Sequence, residues 1–278
     1  MPEHNIDPVL KAADRCVPGG SPALKIGLAA FLLAGILTLV DATLAAALLA
    51  GFLLLCLAAP FFPRFSFYAP VVYRGCSGRN AVAITFDDGP DPLTTPVLLN
   101  LLKRRGVTAT FFVIGENVRN HPELAESIVR HGHLIGNHSF RHSTRIFFKS
   151  VPAVIEDIEA TQVVLRQRGI RPLVYRPPVG IVSPRLGSAL LKTGMTLVNF
   201  SRRPLDGGNR RLRNLSGRVL RRIHGDDIVL LHDRRPPDEN MIPLWLKEVE
   251  AILDGLEKKG LAVMPLSDLI GRPVMMRC

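Results

Sequence analysis

The chain has 278 residues, a hydrophobic content of 47% and a net charge of +11, most of which lies beyond residue 80. This length accommodates one larger domain or two small ones, and the positive charge favours an anionic partner such as phosphate or anionic lipid. The sequence shows no RNP, zinc-finger or helix-turn-helix pattern, so no nucleic-acid partner is expected.

The N-terminal part combines a polar tail with a long apolar segment. Residues 1–23 are polar and of mixed charge, whereas residues 24–62 are almost entirely apolar and are interrupted by Asp41. A transmembrane helix needs about 20 residues, so this segment is too long for one straight span and short for two. It predicts a helical hairpin over 26–40 and 43–59 with Asp41 at the turn, because a charge is costly in mid-bilayer.

Two other arrangements fit the same segment. One is a single tilted span that begins after Asp41, and the other is a buried helix pair of a soluble protein. We expect an integral membrane protein, but the few flanking basic residues leave open the side on which the remaining chain lies. Residues 63–80, with Pro63 and Pro70, predict a stiff linker.

Strand-like and helix-like runs alternate over residues 81–270. Such alternation is typical of a parallel sheet, and about seven strands in this length predict an α/β fold that is a distorted or incomplete (β/α) barrel. The expected strands are Ala81–Phe86, Thr108–Ile114, His133–Gly136, Leu173–Tyr175, Thr196–Phe200, Asp227–Leu231 and Leu261–Met264. Helices are expected near 94–105, 122–131, 151–168, 184–193, 212–224 and 241–259, followed by a C-terminal tail at 271–278.

Polar residues follow the C-terminal ends of several expected strands. In chain order they are Asp87 and Asp88, Asn137, His138 and His142, Arg176, Asp206, and His232 with Asp233. Each alone has an ordinary interpretation as a surface or turn residue. Because the carboxyl ends of barrel strands converge on one face, their shared position favours a single functional site.

The residue types in this set are suited to metal-assisted hydrolysis. His138 and His142 are four residues apart, so on a helical turn they would share a face and hold one cation. Asp88 would complete a His₂Asp set that suits Zn²⁺, with Co²⁺ or Mn²⁺ as alternatives, and leaves positions open for water and substrate. Asp87, which is not needed as a ligand, can accept the proton of a water molecule as general base.

The remaining members of the set can orient the base and supply an acid. Arg176 can hold Asp87 ionised through a bidentate contact. His232 can protonate a leaving amine, and Asp206 can pair with His232 and raise its pKa. A metal, a base and an acid together describe hydrolysis of an amide or an ester.

Four ordered stretches resemble the motifs of the polysaccharide deacetylases, which are carbohydrate esterase family 4 with its NodB-homology domain. They are Thr85-Phe86-Asp87-Asp88-Gly89-Pro90, His138-Ser139-Phe140-Arg141-His142, Arg176-Pro177-Pro178-Val179-Gly180 and Leu230-Leu231-His232-Asp233. The resemblance covers about residues 80–270, with a catalytic domain at 81–270. It implies a distorted (β/α) barrel and metal-dependent removal of N- or O-acetyl groups from a carbohydrate. Together with the apolar N-terminal segment, it also implies that the chain is located in the bacterial inner membrane.

The resemblance also implies the roles argued above for the base, the acid, the orienting arginine and the metal ligands. It adds Leu230 as a wall of the acetyl-methyl pocket and the backbone N–H of Val179 as a donor to the oxyanion. Members commonly have an aromatic residue where Val179 stands, a Pro where Ser143 stands, and a Trp on either side of the segment containing Asp206. The one Trp of this chain, Trp245, is far from every motif, which weakens the expectation of long-glycan binding because sugar rings stack on aromatic faces.

Arginine is abundant where those aromatic residues are missing, since residues 202–235 contain ten Arg and four Asp. A solvated basic helix at 210–222, or a basic face lying on anionic lipid, explains this charge without substrate contact. The sharper hypothesis is that Arg202 and Arg203 bind phosphate bidentately. The substrate would then be an acylated sugar linked to lipid or phosphate.

Two other functions remain open at this stage. A deformylase or other amide hydrolase would keep the catalytic groups and differ in the pocket that Leu230 lines. A catalytically silent, membrane-anchored module that binds glycan or lipid would be expected to lack Asp87, His232 or a metal ligand, and all of these are present.

Overall fold

The computed structural model describes residues 21–278, so most of the predicted polar tail lies outside the described part. The described part of the chain begins with two helices packed on each other, α1 (Pro22–Leu37) and α2 (Ala42–Ala58). Asp41 is the N-cap of α2, and its Oδ1 accepts the N–H of Thr43 at 2.7 Å. The predicted helix pair with its turn at Asp41 is therefore confirmed, and its insertion in a membrane stays a prediction.

The two hairpin helices differ in length. Ala42–Phe61, a 20-residue stretch with a mean hydropathy of 2.4, is the one candidate among the described helices that is long and apolar enough to cross a membrane. Pro22–Leu37 is also apolar but has 16 residues, which is shorter than the roughly 20 residues of a straight span.

Nine strands follow, and seven of them form one parallel sheet. In chain order they are β1 (Ala81–Asp87), β2 (Thr110–Val113), β3 (Leu134–Asn137), β4 (Ile170–Pro172), β5 (Val174–Tyr175), β6 (Thr196–Leu197), β7 (Ile228–His232), β8 (Ala262–Val263) and β9 (Met275–Arg277). The sheet order is β6-β5-β3-β2-β1-β7, and β8 pairs with the first residues of β1. The predicted incomplete (β/α) barrel with seven parallel strands is confirmed.

Helices connect the strands, as expected for parallel pairing. They are α3 (Thr95–Arg104), α4 (Gly115–Asn120), α5 (Pro122–Arg130), α6 (Val151–Arg166), α7 (Pro184–Thr193), α8 (Leu215–Leu220), α9 (Ile242–Lys258) and α10 (Leu266–Ile270). The sequence did not predict the short helices α4 and α10.

All seven residues of β1 are buried, because this central strand is covered on both faces. Trp245 of α9 is fully buried in the largest core cluster, away from the motifs.

Two segments that were predicted to be peripheral are part of the folded domain. In the expected linker 63–80, Phe67 and Val72 are buried, and Val72 forms a β-bridge with Val198. In the expected tail 271–278, β9 pairs antiparallel with β4. Both predictions were wrong for the same reason: short apolar stretches without clear periodicity pack on neighbours that are distant in the chain.

Candidate active site

The two adjacent carboxylates at the end of β1 point to different partners. Asp87 is the last residue of the strand, in register with His232 of β7. Asp88 has a φ of 72°, which turns the chain immediately and separates the two side chains. Gly89 is required next, because a Cβ there would lie 2.5 Å from Oδ2 of Asp233. Asp87 and Asp88 are both buried, which is costly for two carboxylates unless cations compensate.

One carboxylate and two imidazoles form a compact set of metal donors. Ligand atoms of Asp88, His138 and His142 all lie within 4.8 Å of one another. Nε2 of His142 is 3.2 Å and Nε2 of His138 is 3.5 Å from Oδ1 of Asp88. Nδ1 of His138 lies 2.7 Å from the carbonyl oxygen of Arg176, so it donates there and leaves Nε2 as the lone-pair donor. The set fits a divalent cation of the Zn²⁺ type.

The two histidines come together through a loop and not through the helical turn expected from their spacing. Ser139 and His142 have φ values of 68° and 51°, which a helix does not allow. Oγ of Ser139 accepts the N–H of His142 at 2.9 Å, and Oδ2 of Asp157 on α6 accepts the N–H of Phe140 at 3.0 Å. Asp157, which the sequence did not single out, therefore holds the loop that carries both histidines.

Arg176 fixes Asp87, but not by the predicted bidentate contact. Its Nη1 donates to Oδ1 of Asp87 and to Oγ1 of Thr85, both at 2.7 Å. Its Nε and Nη2 donate instead to the carbonyl oxygens of Val198 and Asn199. The guanidinium is fully buried, so it is a fixed positive charge beside the proposed base, and four hydrogen bonds to β1 and to the segment that follows β6 fix its position.

His232 and Asp206 form a second pair across the cavity. Nδ1 of His232 lies 3.0 Å from Oδ2 of Asp206. Burial alone would lower the pKa of His232, but the hydrogen bond and negative charge of Asp206 outweigh it and raise that pKa. Burial would raise the pKa of Asp206, yet the partnership with His232 lowers it. The pairing therefore favours a protonated imidazole on His232 beside an ionised carboxylate on Asp206.

Asp233 is a buried acid whose contacts lie outside the cavity. It accepts the hydroxyls of Thr94 at 2.8 Å and Thr95 at 2.6 Å, and its backbone N–H donates to the carbonyl of Asp87. Burial raises the pKa of Asp233 to about 7. In the sequence analysis Asp233 was only the neighbour of His232, whereas its contacts join the end of β7 to the start of α3 and to the end of β1.

One cavity of about 680 Å³ joins the possible metal donors, Asp87 and the His232–Asp206 pair, whereas Arg176 and Asp233 lie behind its wall. Its lining includes the residues expected from the sequence, namely Asp87, Asp88, His138, His142, Val179, Arg203, Asp206, Leu230 and His232, together with Arg210, Arg211 and Arg234, which the sequence did not single out individually. Arg202 does not line the cavity, because its Nε pairs with Asp227 at 2.7 Å. Val179 has a φ of 62°, a strained conformation for a β-branched residue of the kind found at functional sites.

Comparison with known proteins gives a consistent result. A family model described as polysaccharide deacetylase matches residues 74–198. The chitooligosaccharide deacetylase of Bradyrhizobium sp. (strain ANU 289) is 33% identical over 211 residues, which cover 71% of this chain and 94% of that protein. The peptidoglycan-N-acetylglucosamine deacetylase of Bacillus cereus is 32% identical, covering 72% of this chain and 92% of that protein. The structure of the family 4 carbohydrate esterase from Streptomyces lividans in complex with acetate matches with a TM-score of 0.61 at 29% identity, covering 70% of this chain and 96% of that one.

Proposed function

Because this chain belongs to the polysaccharide deacetylase family, we propose that it is a membrane-anchored, metal-dependent hydrolase that removes the N-acetyl group of an amino sugar. The observation that carries this proposal is the convergence of three groups on one cavity: the Asp88, His138 and His142 donors, the Asp87–Arg176 pair and the His232–Asp206 pair. These are the metal site, base and acid that amide hydrolysis needs.

Asp88, His138 and His142 would hold the metal, which when bound supplies a Lewis acid and lowers the pKa of water. Asp87 accepts a proton from the attacking water, and Arg176 keeps its carboxylate in place. The backbone N–H of Val179 donates to the carbonyl oxygen as negative charge develops there. Protonated His232 then transfers its proton to the amide nitrogen as the C–N bond breaks, which releases acetate and a free amine. Leu230, buried on β7 beside the cavity, bounds the space for the acyl methyl group.

The pairing of His232 with Asp206 predicts the alkaline limit of activity. We expect Asp206→Asn to remove the main influence that raises the pKa of His232, so the protonated acid is lost at lower pH and the alkaline limb of the kcat/KM profile moves towards lower pH. Each unit of that shift costs about tenfold in the protonated fraction above the limb. A pH–rate profile of the two proteins measures the shift, and an unmoved alkaline limb would contradict the assignment of His232 as the acid.

The contacts between the hairpin and the domain support a substrate held at the membrane. Arg64, just beyond α2, donates a hydrogen bond to the carbonyl oxygen of Ser201. The carbonyl oxygen of Pro63 accepts a hydrogen bond from Nδ2 of Asn199 at 2.7 Å. Gly180, a cavity residue, lies where an added Cβ would be 3.3 Å from Pro63. The end of the proposed anchor thus lies against the loops of the cavity. A sugar attached to a lipid would meet the site at this surface, so we propose a lipid-linked substrate.

The proposal is tested with full-length protein in detergent, loaded in turn with Zn²⁺, Co²⁺ or Mn²⁺ and offered N-acetylated sugars and their N-formyl analogues. We expect release of acetate in an amount equal to the new free amine. Preferential release of formate would replace the deacetylase by a deformylase. Binding of the sugars without release of either acid, with every metal, would replace it by a silent binding module.

A further inference from the structure

We propose that arginines on the cavity wall bind a phosphate group carried by the substrate, which makes that substrate a sugar phosphate or a sugar joined to lipid through phosphate. The residues are Arg203, Arg210 and Arg211, and not the adjacent pair that the sequence favoured. This inference rests on the proposed function, since the phosphate would lie in the cavity that holds the amide.

The charges of these three side chains are not neutralised within the protein. All three are exposed, and among the residues that the structure describes none has a carboxylate within salt-bridge distance. Two nearby arginines contrast with them, since Arg202 pairs with Asp227 and Arg235 pairs with Asp91 and Glu239. The positive charge on the cavity wall therefore remains for an anion from outside. The planar fork of arginine matches phosphate oxygens in pairs.

The loop that carries Arg210 and Arg211 is held in place from both ends. The guanidinium of Arg218 donates to the carbonyl oxygens of Pro204 at 2.8 Å and of Arg211 at 2.5 Å. Nδ2 of Asn209 donates to the carbonyl of His232 at 3.0 Å. The loop is thus fastened to the strand that carries the proposed acid, so the two cavity arginines start from a fixed backbone, which lowers the ordering cost of binding.

The same loop passes close to the metal donors. Gly208 has a φ of 72°, and a Cβ there would lie 3.8 Å from Oδ2 of Asp88. Arg210 and Arg211 follow within three residues and line the same cavity. A phosphate bound by them would therefore belong to the sugar whose acyl group lies at the metal site, or to a substituent attached directly to that sugar.

The cavity lacks an open aromatic face for a neutral glycan chain. Its one aromatic lining residue among those described is Phe200, which is 4% exposed. The guanidinium carbon of Arg203 lies 5.6 Å from the centroid of that ring. A positive charge therefore lies over the surface where a sugar ring would stack, which favours an anionic substituent over a further sugar.

The test measures binding to full-length, metal-loaded protein in neutral detergent, in an Asp87→Asn background that prevents turnover. The probes are N-acetylglucosamine 1-phosphate and N-acetylglucosamine, compared by calorimetry. We expect the phosphorylated probe to bind at least tenfold more tightly, and we expect Arg210→Gln/Arg211→Gln to remove most of that preference and Arg203→Gln to reduce it. Arg234 is left unchanged, because its Nη1 lies 3.9 Å from Asp88.

The matched control is Arg221→Gln/Arg222→Gln, which removes the same charge from exposed residues outside the cavity lining. We expect this control to keep the preference. No preference in the parent protein, or an equal loss in the control, would overturn the proposal. Calorimetry with short-chain phosphatidylglycerol in place of the sugar probes separates the other source of phosphate: if Arg210→Gln/Arg211→Gln loses binding of this lipid but keeps the probe preference, the arginines bind membrane lipid and the proposal is wrong.

Acetate release by the parent chain with native Asp87, measured in parallel, separates this inference from the proposed function. A phosphate preference without acetate release supports the binding site and contradicts the hydrolase. Acetate release without a phosphate preference supports the hydrolase and contradicts the binding site.

Discussion

Asp87→Asn is expected to lower kcat by about 10³-fold or more while the protein keeps its metal, because the change removes a proton acceptor and leaves the three metal donors in place. Asn retains an oxygen that can accept from Nη1 of Arg176, which lies 2.7 Å from Oδ1 in the native chain. Steady-state rates together with metal content per chain measure both parts of this result.

Asp88→Asn is the matched comparison, since it makes the same replacement of a carboxylate by an amide at the neighbouring residue. Asp88 lies between the two histidines, so this variant should lose metal affinity as well as activity. Equal loss of metal in both variants would contradict the division of the pair into a base and a ligand.

Arg176→Met is expected to have the largest effect on stability. The guanidinium is fully buried beside Asp87, and removing one partner of a buried ion pair costs about 3–5 kcal/mol because the other charge is left uncompensated. Arg166→Met is the control, because Arg166 and its partner Glu159 are both exposed and such pairs contribute about 0–1 kcal/mol. Denaturant unfolding of both variants gives the comparison.

A second variant, Arg176→Lys, separates folding from function. Lysine keeps the charge but cannot reproduce the donors that reach Asp87, Thr85 and the two backbone carbonyls. We expect a folded protein with reduced kcat. Unfolding of Arg176→Met at the same denaturant concentration as Arg166→Met would contradict the structural role of the pair.

The sequence predicted the parallel sheet well because its signal is local. Apolar runs such as Ala81–Phe86 end in polar residues and turn signals, and alternation with helices implies parallel pairing. The antiparallel pair β4–β9 was not predicted, since it joins residues far apart in the chain that have no clear periodicity. The same limit applies to residues 63–80, whose apolar side chains pack on the domain.

The candidate site shows a similar division. The residue types of Asp88, His138 and His142 predicted a metal site, but the geometric reason was wrong: the histidines meet through a loop with positive φ angles, and backbone conformation of this kind has no simple sequence signal outside glycine. Arg202 and Arg203 are adjacent in sequence, yet one pairs with Asp227 and the other lines the cavity. Adjacent residues of a loop point in different directions, and spacing alone cannot assign them.

The proposed hydrolysis depends most on a metal ion held by Asp88, His138 and His142. The direct test is stepwise addition of Zn²⁺ to chelator-treated, full-length protein, with acetate release from an N-acetylated amino sugar and bound metal measured on the same samples. We expect no release without metal and a linear rise that ends at one bound ion per chain. Full release from protein that contains no bound metal would contradict the account.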